Sequence, residues 1–286
     1  MPTAEKLKPN DYKTGREPIW CPGCGDFGAL NAFYQALSEL EVEPHMLALF
    51  SGIGCSSRLP YFVNGYCHHG VHGRALPAAM GAKLSNPELT VVVTGGDGDG
   101  FSIGTGHVPH IVRRNPDITY IMLDNEIYGL TKGQIAPTSP VGMTTSSTPL
   151  GSLEDPLNPV ALLIACNASF VARGFSGDPK GLKDLFVKAI SHPGFAFVDV
   201  LSPCPTFNMD MTYQSLRPKV SPLPEDHDSS DRVAAFARAL EPVVYTGVFY
   251  HRRESIPYEK RHASLRAKQV EYGGQPDLAA LIRKFR

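Results

Sequence analysis

The stretch 94–134 constrains the fold of this chain more than any other part of it. A β-branched run at 90–93 leads into Gly96-Asp97-Gly98, and a second apolar run at 118–123 leads into Asn125. Short apolar runs followed by polar and glycine residues predict two buried strands. In a strand–helix–strand unit the carboxyl ends of both strands meet at one edge of a parallel sheet. We therefore expect Asp97 and Asn125 to be neighbours.

The polar residues at this edge suit a diphosphate that is bound through Mg²⁺. Mg²⁺ prefers oxygen ligands at short distance, and glycine lets the backbone approach a phosphate closely. A predicted helix at 102–114 would add free N–H groups at its N-terminus. Gly-Asp-Gly alone is more often a plain turn. The strand before it, and the second strand with Asn125 after it, favour the diphosphate site over the turn.

The composition excludes several classes of protein. The formal net charge is −1 over 286 residues, which gives no global attraction to nucleic acid or to a membrane surface. No apolar run reaches the roughly 18 residues that a membrane span needs. The first residues contain no apolar signal core, so we expect a cytoplasmic protein. We predict neither a nucleic-acid partner nor a membrane partner.

Apolar runs and helical patterns alternate along the chain. Strands are predicted near residues 46, 90, 118, 170 and 195, with helices between them. This alternation indicates an α/β fold with a mostly parallel sheet and helices on both faces. The loops that follow these strands then emerge at one edge, where open parallel sheets bind their ligands.

We divide the chain into residues 1–217, which carry these patterns, and a C-terminal extension, residues 218–286. Helices are predicted near 231–240 and 276–284, with a basic stretch at 251–268 between them. A charged tail usually faces solvent. This one keeps several aromatic residues among its charges, so we expect an arm that packs on a partner subunit.

Six cysteines are too few for a disulfide scaffold in a chain of this length. A Cys-x-x-Cys pair and two cysteines that each follow a predicted strand form one candidate group: Cys21, Cys24, Cys55 and Cys204. Four thiolates from converging loops are the ligands of an iron–sulfur cluster. The alternatives are a thioredoxin-like pair, a zinc site, which typically has two such pairs, and inert buried thiols. We favour the cluster and interpret Cys67 and Cys166 as structural.

Several motifs along residues 15–217 resemble those of the β subunits of 2-oxoacid:ferredoxin oxidoreductases, most closely the 2-oxoglutarate type. The motifs are WCPGCG, SGIGCSSR, HGRAL, GGDGDG and LDNEIYGLTKGQ. The resemblance implies a thiamine diphosphate-binding fold that holds thiamine diphosphate, Mg²⁺ and a 4Fe-4S cluster. One departure is Gly100-Phe101-Ser102, where related chains usually carry small apolar residues. We expect it to alter local packing more than metal binding.

The resemblance also implies roles for individual residues. Mg²⁺ would be bound by Asp97, Asn125 and the carbonyl of Ile127, and the cluster by the four cysteines already named. The implied contacts with thiamine diphosphate are Ile53, Gly54, Cys55, Ser56, His72, Gly98, Asp99, Gly129 and Leu130.

The activity implied by the resemblance is the oxidative decarboxylation of 2-oxoglutarate to succinyl-CoA and CO₂. Coenzyme A is the co-substrate, and single electrons pass through the cluster to ferredoxin; the reverse direction would fix CO₂. Thiamine catalysis needs a carboxylate on the aminopyrimidine ring, and no glutamate of this chain can be assigned to it. In the family the α subunit supplies that group, so we expect this chain to be inactive alone.

Two residues are candidates for contact with the substrate. His72, beside Gly73-Arg74, could polarise a carbonyl group or bind phosphate, whereas His68 and His69 are interpreted as ordinary polar residues. Lys132 lies in the loop after Asn125 and could pair with a second carboxylate. In the family, 2-oxoglutarate enzymes tend to have lysine here and pyruvate enzymes glycine. The alternative is a solvated surface lysine.

Three other functions fit parts of the sequence. A pyruvate or branched-chain 2-oxoacid enzyme would share every motif except the lysine. A non-redox thiamine decarboxylase or synthase would have no use for the four cysteines. An electron-transfer module that only holds a cluster would leave Asp97 and Asn125 without a role.

Overall fold

The fold is built around one eight-stranded sheet. The computed structural model describes residues 6–271 and 277–285. The strands are β1 (Leu47–Ser51), β2 (Tyr66–His69), β3 (Thr90–Gly96), β4 (Ile118–Asp124), β5 (Ile127–Tyr128), β6 (Gln134–Ile135), β7 (Phe170–Phe175), β8 (Phe195–Leu201), β9 (Val220–Pro222) and β10 (Val244–His251). The main sheet has the order β2-β1-β3-β4-β8-β7-β10-β9, and β5 pairs with β6 in a separate hairpin.

The helices pack on this sheet from both sides. They are α1 (Gly25–Glu39), α2 (Ala75–Ser85), α3 (Asp97–Phe101), α4 (Val108–Arg114), α5 (Pro159–Ala165), α6 (Pro179–Ile190), α7 (Tyr213–Leu216), α8 (Arg232–Ala239), α9 (Tyr258–Glu271) and α10 (Leu278–Arg283). Short 3₁₀ helices span Pro9–Tyr12, Pro44–Met46, Ser56–Phe62 and Thr105–His107. Within the described residues, none of the helices is both long and apolar enough to span a membrane.

Six neighbouring strands, from β2 to β7, run parallel, and β10 joins β7 in the antiparallel direction. Side chains alternate between two cores: Leu47 and Leu49 face one core with α1 and α6, whereas Ala48 faces the other with α2 and α4. The predicted α/β fold, with a mostly parallel sheet and helices on both faces, is confirmed.

The sheet order also fixes where a ligand can bind. The chain passes from β1 outward to the edge strand β2, then crosses back to β3 and continues to β4 on the other side. The strand order therefore reverses between β1 and β3. In open α/β sheets the crevice for ligands lies beyond the carboxyl ends of the strands at such a reversal.

The single helix predicted at 102–114 is wrong. A helix starts earlier, at Asp97, breaks at Ser102 (φ −94°, ψ −104°), and α4 begins only at Val108. Proline at the second position of α4 has no N–H to continue an earlier helix, so it starts a new one. Gly104 is also pressed against the preceding turn, where a Cβ would lie 2.6 Å from the Asp99 carbonyl oxygen.

Three strands of the main sheet were not predicted: β2, β9 and β10. Strand β2 is a polar edge strand whose side chains are mostly exposed, so it lacks the apolar pattern of a strand. Strand β10 carries Tyr245, Phe249 and Tyr250, which were assigned to a partner-binding arm, but it pairs with β7 of this chain. The division at 217/218 and the packing of the arm on a partner stay predictions. The start of the last predicted helix, at 276, lies outside the described residues.

Candidate active site

A cavity of about 460 Å³ opens at the carboxyl edge of the sheet, where the loops after β1, β3 and β4 meet. Every residue predicted to contact thiamine diphosphate lines it: Ile53, Gly54, Cys55, Ser56, His72, Gly98, Asp99, Gly129 and Leu130. The three predicted Mg²⁺ ligands, Asp97, Asn125 and Ile127, line the same cavity. Residues far apart in sequence thus converge at the reversal of strand order.

The cavity also includes four residues that were not predicted to contact thiamine diphosphate or Mg²⁺, and it omits one candidate for contact with the substrate. The additional residues are Gly96, Tyr128, Thr131 and Gln134. Lys132 does not line the cavity and is exposed to solvent. It lies at the tip of the β5–β6 hairpin, where its φ of 76° is in the left-handed region. Its N–H donates to the Gly129 carbonyl oxygen at 3.0 Å.

Asp97 is buried and belongs to a crowded acidic group. The Thr138 hydroxyl lies 2.6 Å from Asp97 Oδ2 and 3.1 Å from Asp124 Oδ1. Burial, with the charge of Glu126 adding to it, raises the pKa of Asp97 to about 7. Burial and the charge of Asp97 raise the pKa of Asp124 well above its usual range. A bound cation would relieve this repulsion, so the residues fit the predicted Mg²⁺.

Asp99 holds three loops of the cavity together. One of its carboxylate oxygens, Oδ1, accepts hydrogen bonds from the N–H of Ile53 at 2.9 Å and the N–H of Gly73 at 2.8 Å. The same oxygen lies 2.7 Å from His72 Nδ1. Since a carboxylate can only accept, His72 carries a proton on Nδ1. Nε2 of His72 has no partner among the described residues, so it can contact a ligand.

Glycine is required at Gly98, where the backbone passes under an aromatic ring. The Tyr128 hydroxyl donates to the Gly98 carbonyl oxygen at 3.0 Å. A Cβ at Gly98 would collide with the Tyr128 ring. Tyr128 also packs edge-on against His72, with ring centroids 6.2 Å apart. The ring therefore fixes both the glycine loop and the histidine.

The four cysteines predicted to bind a cluster lie together beside this cavity, and we call them the cysteine site: Cys21, Cys24, Cys55 and Cys204. A Cβ at Gly129 would lie 3.6 Å from Cys55 Sγ and 3.7 Å from Cys204 Sγ, so both sulfurs face one point. Cys24 is close enough to Cys55 and Cys204, and Cys55 to Cys21, for their charges to interact. Cys55 also lines the cavity.

Burial raises the pKa of three thiols of the cysteine site, those of Cys24, Cys55 and Cys204. Burial raises the pKa of Cys55 to about 11 and raises that of Cys24 well above its usual range. Within the described residues, no three His, Cys, Asp or Glu side chains are arranged to hold one metal ion between them. The assignment of the four cysteines to a cluster, whose sulfur ligands would lie on separate irons, therefore stays a prediction.

Asp26 and Asn208 link the loops that carry the cysteines. Asp26 is 1% exposed, and its Oδ1 accepts from the Ser202 hydroxyl at 2.7 Å. Burial raises the pKa of Asp26 to about 6. Asn208 Nδ2 donates to the Asn125 carbonyl oxygen at 3.0 Å, and its N–H donates to the Cys204 carbonyl oxygen at 2.9 Å. The cysteine loop is thereby tied to the loop that carries a predicted Mg²⁺ ligand.

Sequence reasoning missed four residues that shape these sites. Thr138 and Asn208 lie in loops without periodic pattern, so nothing local indicates their contacts. Tyr128 stands within a quoted motif, and an aromatic residue directly before a glycine-bearing turn was a usable signal. Asp26 follows the Cys-x-x-Cys pair at the start of a predicted helix, which is a second usable signal.

Two family models match the chain. Residues 52–200 match "Thiamine pyrophosphate enzyme, C-terminal TPP binding domain". Residues 204–267 match the model of the C-terminal part of the pyruvate ferredoxin oxidoreductase beta subunit. The first match covers the cavity, and the second begins at Cys204 and includes β10.

Two named relatives match 95% and 76% of this chain. The chain is 41% identical over 271 residues to 2-oxoacid:ferredoxin oxidoreductase 2, subunit beta, of Aeropyrum pernix, covering 95% of this chain and 82% of that one. It is 45% identical over 218 residues to 2-oxoglutarate oxidoreductase subunit KorB of Mycobacterium tuberculosis, covering 76% of this chain and 58% of that one.

A solved structure has the same fold over almost its full length. It is a 2-oxoglutarate:ferredoxin oxidoreductase from Magnetococcus marinus with 2-oxoglutarate, coenzyme A and succinyl-CoA bound. The TM-score is 0.93 at 45% sequence identity, and the match covers 99% of this chain and 97% of that chain.

Proposed function

This chain belongs to the β subunits of the 2-oxoacid:ferredoxin oxidoreductases, and from that premise we propose how its two sites serve the oxidative decarboxylation of 2-oxoglutarate. One observation carries the proposal: Cys55 lines the cavity and at the same time belongs to the cysteine site. A substrate held in the cavity is therefore separated from the four sulfurs by little more than one loop. A decarboxylase without redox chemistry would not need this arrangement.

We assign the cavity to thiamine diphosphate and Mg²⁺. Asp97, Asn125 and the Ile127 carbonyl group would hold the metal ion, with Thr138 orienting Asp97. When bound, thiamine diphosphate supplies an electron sink for the carbon that loses CO₂. His72, fixed by Asp99, presents Nε2 to the ligand as a hydrogen-bond acceptor when neutral and as a donor when charged.

We assign the cysteine site to a 4Fe-4S cluster, which would supply one-electron transfer from the cavity towards ferredoxin. Burial disfavours the free thiolates in this chain, so iron must displace the protons when it binds. Trp20 holds one loop of the site, because its Nε1–H donates to the Cys55 carbonyl oxygen at 2.7 Å.

2-Oxoglutarate differs from pyruvate and from branched-chain 2-oxoacids in its second carboxylate. Lys132 is the candidate for contact with that group, and its exposed position at the hairpin tip leaves its ammonium group free to turn towards a bound substrate. Because Lys132 does not line the cavity by itself, pyruvate and branched-chain 2-oxoacids are the second candidates for substrate.

A partner subunit is required for activity. The acids that line the cavity, within the part of the chain that the structure describes, are Asp97 and Asp99, and no glutamate is among them. Both aspartates are already engaged, one with Thr138 and the other with His72. We propose, as the family resemblance implies, that an α subunit supplies the carboxylate that activates the aminopyrimidine ring and completes the substrate pocket.

An anaerobic turnover assay tests this assignment. The chain copurified with its α subunit should reduce ferredoxin only when 2-oxoglutarate and coenzyme A are both present, and the chain alone should not. Pyruvate in place of 2-oxoglutarate should be a poor substrate. Release of CO₂ in the absence of coenzyme A, with no acceptor reduced, would favour a non-redox decarboxylase. Equal rates with pyruvate and 2-oxoglutarate would contradict the choice of substrate.

A further inference from the structure

A second groove lies at the opposite edge of the sheet from the cavity. It has a volume of about 420 Å³ and runs between the last turn of α4 and the first turns of α9, and we call it the basic groove: Arg113, Arg114, Tyr258, Arg261, His262 and Leu265. The last residue of α4 closely precedes β4, so the groove lies at the amino edge of the sheet. The seven residues of β4 separate this edge from the carboxyl edge by about 20 Å.

The start of α9 is fixed to the end of α4. The N–H of Tyr258 donates to the Asn115 carbonyl oxygen at 3.0 Å, and the N–H of Asp117 donates to Glu259 Oε1 at 3.2 Å. Asn115 Nδ2 also donates to the Ser255 hydroxyl at 2.9 Å. Because Asn115 ends α4 and Tyr258 begins α9, these bonds hold the two walls of the groove in place.

Beyond this anchor, none of the described residues covers α9. Every residue from 260 to 268 is exposed, and Leu265 keeps 66% of its surface exposed. Within residues 258–268 no ion pair joins two side chains of the helix. An exposed helix that is polar all round and lacks such pairs gains little stability from its own chain. Packing against another chain would supply that stability.

The charge of this surface has one sign. The exposed cations of α4 and α9 in and beside the groove are Arg113, Arg114, Lys260, Arg261, Arg266 and Lys268. Among residues 6–271 and 277–285, no carboxylate forms an ion pair with any of them. The acid in the first turn of α9, Glu259, is buried and accepts from the backbone of β4's approach. A surface that complements the groove must therefore be acidic.

We propose that the basic groove docks an acidic surface of the α subunit, in a contact separate from the one that completes the cavity. The inference rests on the proposed function, because that function requires an α subunit. Contacts at both edges of the sheet would fix the orientation of the α subunit over the cavity.

Two other occupants fit the groove less well. A second copy of this chain would set basic groove against basic groove in a two-fold contact, and like charges repel. An electron carrier must approach the cysteine site, whose loops follow the carboxyl ends of β1 and β8. The groove lies at the amino edge, about 20 Å away along the strands.

The test reverses charge in the groove without touching either site. Arg113→Glu with Arg261→Glu is compared with wild type and with a matched control, Lys180→Glu with Lys188→Glu, which makes the same charge change on exposed positions of α6. The dissociation constant of each complex with the α subunit is measured by sedimentation velocity at about 0.05 M and about 0.5 M NaCl. The groove variant should bind about tenfold more weakly at low salt, and screening should reduce the difference at high salt. The control should match wild type.

Two further variants separate charge from folding. Arg113→Lys with Arg261→Lys keeps the charge and should bind as tightly as wild type. If the glutamate variant does not fold, Arg113→Gln with Arg261→Gln is measured instead, and a smaller loss of affinity with the same salt dependence is expected.

Every other result counts against the inference. Wild-type affinity in the groove variant, an equal loss in the α6 control, or a loss that is the same at both salt concentrations would overturn it. Self-association of the β subunit that depends on the groove would assign the surface to a second copy and overturn it as well. None of these results bears on the proposed function, because ferredoxin reduction by the wild-type complex tests that function separately.

Discussion

The cavity and the cysteine site lie side by side but are organised by different forces. In the cavity, polar side chains bond to one another across loops, as Asp99 does with His72 and Thr138 with Asp97. At the cysteine site, burial dominates and raises the pKa of Cys24, Cys55 and Cys204. The first site is therefore shaped before its ligand arrives, whereas the second becomes charged only when iron displaces the thiol protons. A substitution at one site should therefore leave ligand binding at the other site nearly unchanged.

Removal of one cysteine should have the largest effect. Cys204→Ala takes away a buried cysteine that we propose as a ligand of the cluster, so iron content and reduction of ferredoxin should fall to background. Binding of thiamine diphosphate, measured by calorimetry, should change little because Cys204 does not line the cavity. Cys67→Ala is the matched control and should keep both cofactors. Loss of thiamine diphosphate together with iron would show that the two sites are not separable.

Thr138→Val should weaken binding in the cavity and leave the cysteine site unchanged, the reverse of Cys204→Ala. It removes the hydroxyl that lies 2.6 Å from Asp97 Oδ2 without changing the size of the side chain much. Loss of a residue that orients a metal ligand typically weakens metal binding by about 10- to 100-fold. Mg²⁺ and thiamine diphosphate should both bind more weakly, while iron content stays normal. Thr138→Ser should restore binding, and a valine variant with unchanged Mg²⁺ affinity would contradict the role given to Thr138.

Lys132→Gly tests whether the tip of the β5–β6 hairpin takes part in recognition of the substrate. A charge-assisted hydrogen bond contributes about 1.5 to 3 kcal/mol, so the KM for 2-oxoglutarate should rise by roughly tenfold or more. The KM for pyruvate should hardly change. Because Lys132 has a φ of 76°, glycine relieves strain and the fold should not suffer. Lys132→Asn, which also tolerates this backbone, should give the same KM pattern; parallel changes for both substrates would reject the prediction.

The smallest effect is a pH dependence confined to the cavity. Burial raises the pKa of Asp97 to about 7, and Mg²⁺ binds the deprotonated form. When Mg²⁺ is added to the metal-free chain, its affinity should be highest above pH 7. The affinity should fall by about tenfold for each pH unit below 7. Asp97→Asn should bind Mg²⁺ weakly at every pH. Wild-type affinity that is flat between about pH 5.5 and 8 would show that Asp97 is not the metal ligand.

The cavity was largely predictable from sequence because its residues follow strands. Apolar runs indicate where strands end, and parallel strands bring their ends to one edge, so the placement of Asp97 beside Asn125 needed no further information. Strand β10 shows the limit of such reasoning. Its aromatic residues fit either a partner interface or an internal strand, and only long-range pairing with β7 decides between them.

The supporting contacts were less predictable. Thr138 reaches Asp97 from 41 positions away in sequence, and Ser202 reaches Asp26 from 176 positions away. Neither loop has a periodicity that would indicate its path. The broken helix after Asp97 is equally hard to predict, because its glycines pack against residues from other elements and the preceding turn: Gly98 against Tyr128, Gly100 against Tyr120 and Gly104 against the Asp99 carbonyl group.

The most direct test of the account is an anaerobic visible and EPR spectrum of the complex with its α subunit after 2-oxoglutarate is added, with iron and thiamine quantified on the same sample. The account predicts about four irons per thiamine diphosphate and a reduced-cluster or radical signal that depends on the substrate. Thiamine diphosphate without iron, or iron whose spectrum does not respond to 2-oxoglutarate, would contradict the claim that the cavity and the cysteine site work together.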